Sequence, residues 1–155
     1  MPKRRRCSPL GDRLLTSEID VEVPFHDADP MGVTWHGNYF RYFELARSVL
    51  LNKIGYNVRQ MTASGYLWPI VEANVKYVKT TTFGQRLRVR AELAEYENRL
   101  KIAYTIFDGE SGELVTKAST TQVAVDRERG ELCFVSPQVL LDKVRAALAA
   151  GSLAS

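Results

Sequence analysis

Polar and apolar positions alternate in several runs along this chain and take helical spacing in one long run. Ile19, Val21, Val23 and Phe25 alternate with Asp20, Glu22 and Pro24, which is the period of a half-buried strand, and Pro24 puts the edge or the end of a strand there. From about Asn38 to about Ile54 the period changes. Tyr39, Tyr42, Phe43, Ala46, Val49, Leu50 and Ile54 recur at about 3.6-residue spacing, with Arg41, Glu44, Arg47 and Ser48 between them. Phe40, Leu45 and Leu51 widen the apolar face, and Gly55 stands where a helix would end. The pattern predicts a long helix with something wrapped around it.

The stretch from Tyr56 to Gly65 carries little pattern. Alternation then resumes from Tyr66 to Val78, with Val71, Ala73, Val75 and Tyr77 on one side. Leu87, Val89, Ala91 and Leu93 mark a third strand, and Leu100, Ile102, Tyr104 and Ile106 a fourth. A glycine-bearing hairpin loop from Asp108 to Glu113 leads into a fifth, about Leu114 to Asp126. A Ser-Pro start and good helix formers predict a closing helix over about Ser136 to Ala150. Consecutive strands joined by short turns pair antiparallel, and a curved sheet around one helix buries both apolar faces. The expected fold class is α+β: a five-stranded antiparallel sheet around one long central helix, plus a C-terminal helix.

Composition sets few further bounds. With 155 residues, 45% hydrophobic and 25% charged, the chain suits one globular domain, expected at residues 13–155 behind a basic, flexible tail at 1–12. Lys3, Arg4, Arg5 and Arg6 account for the net charge of +3, since the rest of the chain sums to about −1. No apolar run nears the roughly 18 residues of a membrane span, and MPKRRRCSPL lacks the apolar core of a signal peptide. A cytoplasmic protein is expected. Cys7 and Cys133 have no metal-ligand spacing and read as reduced thiols.

Chemistry concentrates where the first strand meets the helix, in Phe25-His26-Asp27-Ala28-Asp29-Pro30-Met31-Gly32 and Trp35-His36-Gly37-Asn38-Tyr39. The first turn of a helix has unpaired N–H groups and the positive end of the macrodipole, so it can hold a carboxylate or polarise a carbonyl. Asp29 reads either as an Asx turn or as a working carboxylate. In an extended segment Asp27 shares its side, and its expected role is to order the turn by bonding to backbone. His26 would then point away from both, so no metal site is expected. His36 reads as a site residue or as a histidine packed at the helix entrance.

The run Asp27-Ala28-Asp29-Pro30-Met31-Gly32, then Trp35-His36-Gly37-Asn38-Tyr39 and Tyr42-Phe43-Glu44, resembles the hotdog-fold acyl-CoA thioesterases. It is similar to the 4-hydroxybenzoyl-CoA thioesterase-like branch and to the thioesterases encoded beside the Tol-Pal system. The resemblance implies hydrolysis of acyl-CoA to free acid and CoA, without metal or other cofactor. It puts the catalytic carboxylate on Asp29, as nucleophile or general base, and the second catalytic position on His36. The amides at His36 and its neighbours become oxyanion donors, and Trp35, Gly37, Asn38 and Tyr39 become substrate-binding positions. Asp27 and Gly32 become structural residues near the site. Where the hydroxybenzoyl enzyme has a basic cluster for the CoA phosphates, only Arg99 and Lys101 are basic here. Trp35 and Trp68 are candidates for the acyl pocket.

The resemblance also implies a homo-oligomer, dimer or tetramer, with sites between subunits. Nucleic acid is not an expected partner. Two alternatives remain open at this point: a thioesterase acting on acyl carrier protein in a polyketide or aryl-polyene type pathway, and a hotdog domain that binds acyl-CoA without turnover.

Overall fold

The structure, a computed structural model, describes residues 15–153, so the expected tail at 1–12 lies outside the described residues. Strand β1 (Thr16–Glu22) leads through a 3-10 turn, Phe25–Asp27, and a second one, His36–Asn38, into the long helix α1 (Tyr39–Ile54). A short helix α2 (Val58–Ala63) follows, then β2 (Tyr66–Leu67), β3 (Ile70–Tyr77), β4 (Arg86–Glu95), β5 (Leu100–Asp108), β6 (Leu114–Gln122), β7 (Val125–Asp126) and α3 (Gln138–Leu153).

The main sheet has the order β1-β4-β5-β6-β3, antiparallel throughout. This corrects the expectation that consecutive strands pair. Strand β3 does not pair with β4, which follows it; it lies at the far edge beside β6, Val75 opposite Ala118. The connection 78–85 is too long for a tight hairpin. It crosses the start of α1 instead, fixed there by hydrogen bonds that link the Thr81 hydroxyl with those of Thr34 and Tyr39.

Other boundaries shift for local reasons. The strand expected from Tyr66 to Val78 breaks at Trp68 and Pro69, because proline has no N–H for the ladder. Tyr66–Leu67 pairs with Val125–Asp126 in a separate two-stranded sheet, which likewise splits the expected fifth strand. Within the stretch that carried little pattern, Asn57 and Gln60 form a capping box: Gln60 N–H donates to Asn57 Oδ1 at 3.0 Å and Asn57 N–H to Gln60 Oε1 at 2.7 Å. That signature was present in the sequence.

Helix α1 buries Tyr42, Phe43, Ala46 and Leu50 against the apolar side of the sheet, represented by Leu87, Val89 and Ile102. Truncating Leu50, Leu87 or Ile102 to alanine should cost roughly 2–5 kcal/mol. The helix ends at Gly55, whose φ of 79° is a left-handed conformation that glycine adopts without strain. Phe40, Leu45 and Val49, expected on the buried face, are exposed. The helix packs over β1 and β4, and the side of β3 that carries Val71, Ala73 and Tyr77 stays exposed within one chain. Among the described residues no helix is long and apolar enough to cross a membrane.

Candidate active site

The loop between β1 and α1 handles its two aspartates differently. Because Phe25–Asp27 coils as a 3-10 turn, the segment is not extended and the two side chains do not share a side. Asp27 is 1% exposed; its Oδ2 accepts the Tyr42 hydroxyl at 2.6 Å and pairs with Arg41. The carboxylate therefore grips helix side chains, not the turn backbone as expected. Its main-chain carbonyl does the turn's work, accepting the N–H of Trp35 at 2.9 Å and the Asn38 side-chain amide at 2.9 Å. His26, expected to face away, brings its Nε2 to 3.6 Å from Asp27 Oδ1. Burial pushes the Asp27 carboxyl up, but the hydrogen bonds from Arg41 and Tyr42 and the Arg41 charge together hold it below the ordinary carboxylate range. For Tyr42, burial and the Asp27 carboxylate both raise the phenol.

Asp29 is partly exposed and closes a tight turn. Its Oδ1 accepts the N–H of Met31 at 2.9 Å and of Val33 at 3.4 Å, while its own N–H and C=O bond to Val33 O and Gly32 N. Gly32 turns the chain with a φ of 81°. Among the described residues Asp29 Oδ2 has no hydrogen-bond partner. Asp29 lines a cleft of about 260 Å³ together with Thr34, His36, Tyr39, Tyr77 and Lys79.

The cleft sits at the N-terminus of α1. His36 opens the 3-10 turn there, with its ring centroid 5.2 Å from that of Trp35 and 6.0 Å from that of Tyr77. The Tyr77 hydroxyl donates to the His36 carbonyl at 2.8 Å. Tyr39 is buried, its hydroxyl 2.7 Å from Thr81 Oγ1, which in turn lies 2.7 Å from Thr34 Oγ1. These three hydroxyls tie the 78–85 connection to the helix start. Trp35 is half exposed and lies over Gly37, where an added Cβ would stand 2.3 Å from an indole carbon.

The other expected residues lie elsewhere. Trp68 is a core residue, its indole N–H donating to the Tyr56 hydroxyl at 3.2 Å, and takes no part in the cleft. Arg99 follows the far end of β4 and pairs with Glu95 at 3.1 Å. Tyr77 stands opposite Thr116, and Thr116 opposite Ile106, so the cleft is at the Ile106 end of β5. Lys101 stands about 17 Å further along that strand at ~3.4 Å per residue. Within one chain, Arg99 and Lys101 are not brought to the cleft. Tyr77, Lys79 and Thr80, which line the cleft, were not expected there; strand alternation groups Tyr77 with Val71, Ala73 and Val75, with no sign of what it meets.

A free carboxylate oxygen beside the amides of a helix N-terminus can activate water or attack a carbonyl whose oxygen those amides stabilise. Several relatives are named for thioester hydrolysis. A family model described as the thioesterase-like superfamily matches residues 23–148. A 1,4-dihydroxy-2-naphthoyl-CoA hydrolase of Thermosynechococcus vestitus is 31% identical over 105 residues, which are 66% of this chain and 71% of that protein. The solved structure of a DHNA-CoA thioesterase from Staphylococcus aureus is 29% identical, covering 88% of this chain and 95% of its own, with a TM-score of 0.72. A 4-hydroxybenzoyl-CoA thioesterase solved with 4-hydroxybenzoyl-CoA covers 84% of this chain and 99% of its own with a TM-score of 0.73; at 20% identity it speaks for the fold alone. A sheet wrapped around one helix, a carboxylate at the entrance of that helix and a family match along most of the sequence place this chain in the thioesterase-like superfamily of hotdog-fold thioester hydrolases.

Proposed function

We propose that the protein hydrolyses acyl-CoA thioesters to a free acid and CoA. The observation that carries this reading is the meeting of Asp29, with one carboxylate oxygen unbonded among the described residues, and His36 in a single cleft at the start of α1. The amides at His36 and Gly37 donate to the thioester oxygen as it gains charge. Asp29 either takes a proton from water as water attacks, or attacks to give a mixed anhydride that water then opens. In both routes the C–S bond breaks and CoA leaves as the thiol after taking up a proton. His36 borders the reacting group and Trp35 packs behind it on His36 and Gly37, whereas Asn38 and Tyr39 hold the loop and the helix start through Asp27 and Thr81.

The named activities of the relatives make a bicyclic aromatic acyl-CoA, 1,4-dihydroxy-2-naphthoyl-CoA, the first substrate to test. Lys79, on the rim of the cleft and 2.5 Å from Glu113, is the cation nearest to hand for a CoA phosphate. Arg99 and Lys101 serve that role only from a neighbouring subunit. Such a subunit fits the exposed edge strand β3, where Val71 is 58% exposed, because an uncovered apolar edge favours pairing. The protein is accordingly read as a homo-oligomer.

Thiol release from 1,4-dihydroxy-2-naphthoyl-, benzoyl- and decanoyl-CoA, each compared with the same acyl group on a carrier protein, tests this reading. Turnover of at least one CoA ester that Asp29→Asn abolishes supports it. Faster turnover on the carrier protein would move the substrate to that class, and binding without thiol release would overturn hydrolysis altogether.

A further inference from the structure

Tyr77 reaches across from the edge strand to the main chain of the helix entrance. Its hydroxyl donates to the His36 carbonyl at 2.8 Å, although the two residues are 41 positions apart in sequence. The bonded carbonyl belongs to the His36–Gly37 peptide. That peptide is trans, as are all among the described residues, so its N–H, carried by Gly37, points opposite to the carbonyl and out of the helix N-terminus. Asp29 and His36 line one cleft at this end of the helix. A hydrogen bond on the carbonyl fixes the direction of the peptide plane and polarises its N–H, which makes it a stronger donor.

The same peptide is held from a second direction. The Trp35 indole lies against Gly37 so closely that no side chain fits there without displacing the ring. Tyr77 is itself located by two ring contacts, 6.0 Å to His36 and 5.5 Å to Tyr39. Burial raises its phenol, with the Tyr39 phenol as the lesser cause, so it remains a donor through neutral pH. Neither Tyr77 nor its hydroxyl was singled out by the helix-entrance motif, since it comes from another element.

We infer that Tyr77 is a positioning residue for thioester hydrolysis: its hydroxyl holds the His36–Gly37 peptide so that the Gly37 amide meets the developing oxyanion. This rests on the thioesterase reading above. Two consequences follow. A donor aimed at the transition state changes kcat more than KM. It also polarises the carbonyl of a bound, unreacted thioester.

Tyr77→Phe keeps the ring and its contacts and removes only the hydroxyl. Expected is a fall in kcat of about 10-fold on benzoyl-CoA with KM within about twofold and the melting temperature near that of the parent. The second measurement is the carbonyl stretch of isotope-labelled benzoyl-CoA bound to Asp29→Asn and to Asp29→Asn with Tyr77→Phe. The first complex should shift the stretch to lower frequency than in water, and the second should lose a clear part of that shift. Unchanged kcat in Tyr77→Phe overturns the proposal, as does a lower kcat with an unchanged carbonyl shift. If the parent binds benzoyl-CoA and releases no thiol from any ester, the thioesterase reading fails. A carbonyl shift that still depends on Tyr77 would then uphold the positioning of the amide separately.

Discussion

The Tyr42 hydroxyl donates to Asp27 Oδ2 at 2.6 Å, binding the fourth residue of α1 to the loop that precedes the helix. With Arg41 on the same carboxylate, this contact sets how the helix meets the loop that carries Asp29. Asp27 thereby acts on Asp29 only through the path of the backbone.

Acid should weaken the fold through Asp27. Its carboxyl titrates below the ordinary value of about 3.9 in the folded chain, so below about pH 4 the unfolded chain binds more protons and stability falls as pH is lowered. The melting temperature of Asp27→Asn should therefore depend less on pH in that range than the parent's. At neutral pH the substitution should cost about 1–2 kcal/mol, the Arg41 share being discounted because that guanidinium is half exposed. Thermal melts at several pH values between 3 and 7 check this, and an identical slope in parent and variant would refute it.

Asp29→Asn should lower kcat by about 10²-fold or more while oligomer and melting behaviour stay close to the parent. The amide oxygen can still accept the N–H of Met31, so the turn survives. Near-parental turnover in a folded Asp29→Asn protein would show that another group does the chemistry.

Gly37→Ala should move the Trp35 ring, because the new Cβ would fall 2.3 Å from an indole carbon. The ring is half exposed and can swing away, so the chain should fold. Tryptophan emission should shift and kcat should drop about 10-fold as the amide loses its support. Unaltered emission together with unaltered kcat would contradict the close contact.

Val71→Lys should separate the subunits. Val71 is exposed on edge strand β3 of the single chain, and a buried lysine across an interface is costly. Light scattering should give a multiple of 17.5 kDa for the parent and a smaller mass for the variant, with activity lost in parallel. A monomeric, active parent would sink the oligomer.

The sequence alone determined the parts whose physics is periodic or local. Residues recurring at helical spacing from Tyr39 to Ile54, with Gly55 behind them, define α1 because one face must be apolar and a left-handed cap must follow. Alternation likewise defines the inward sides of β4 and β5, from Leu87 to Leu93 and from Leu100 to Ile106. The turn at Asp29 and Gly32 was legible for the same reason, since its bonds span only a few residues. What the tertiary structure decided are the meetings of residues far apart. Alternation marks β3 as a strand but not which strand stands beside it, so its place next to β6 was invisible. Asp27 and Asp29 look equivalent in sequence, and only a buried Tyr42 and Arg41 waiting on the helix make one a clamp and leave the other facing the cleft. Tyr77 reaches His36 because the 78–85 connection carries the chain past the start of α1, a path fixed by packing and by the Thr34, Tyr39 and Thr81 hydroxyls. Contacts of that kind depend on the whole chain being folded, and no window of neighbouring residues encodes them.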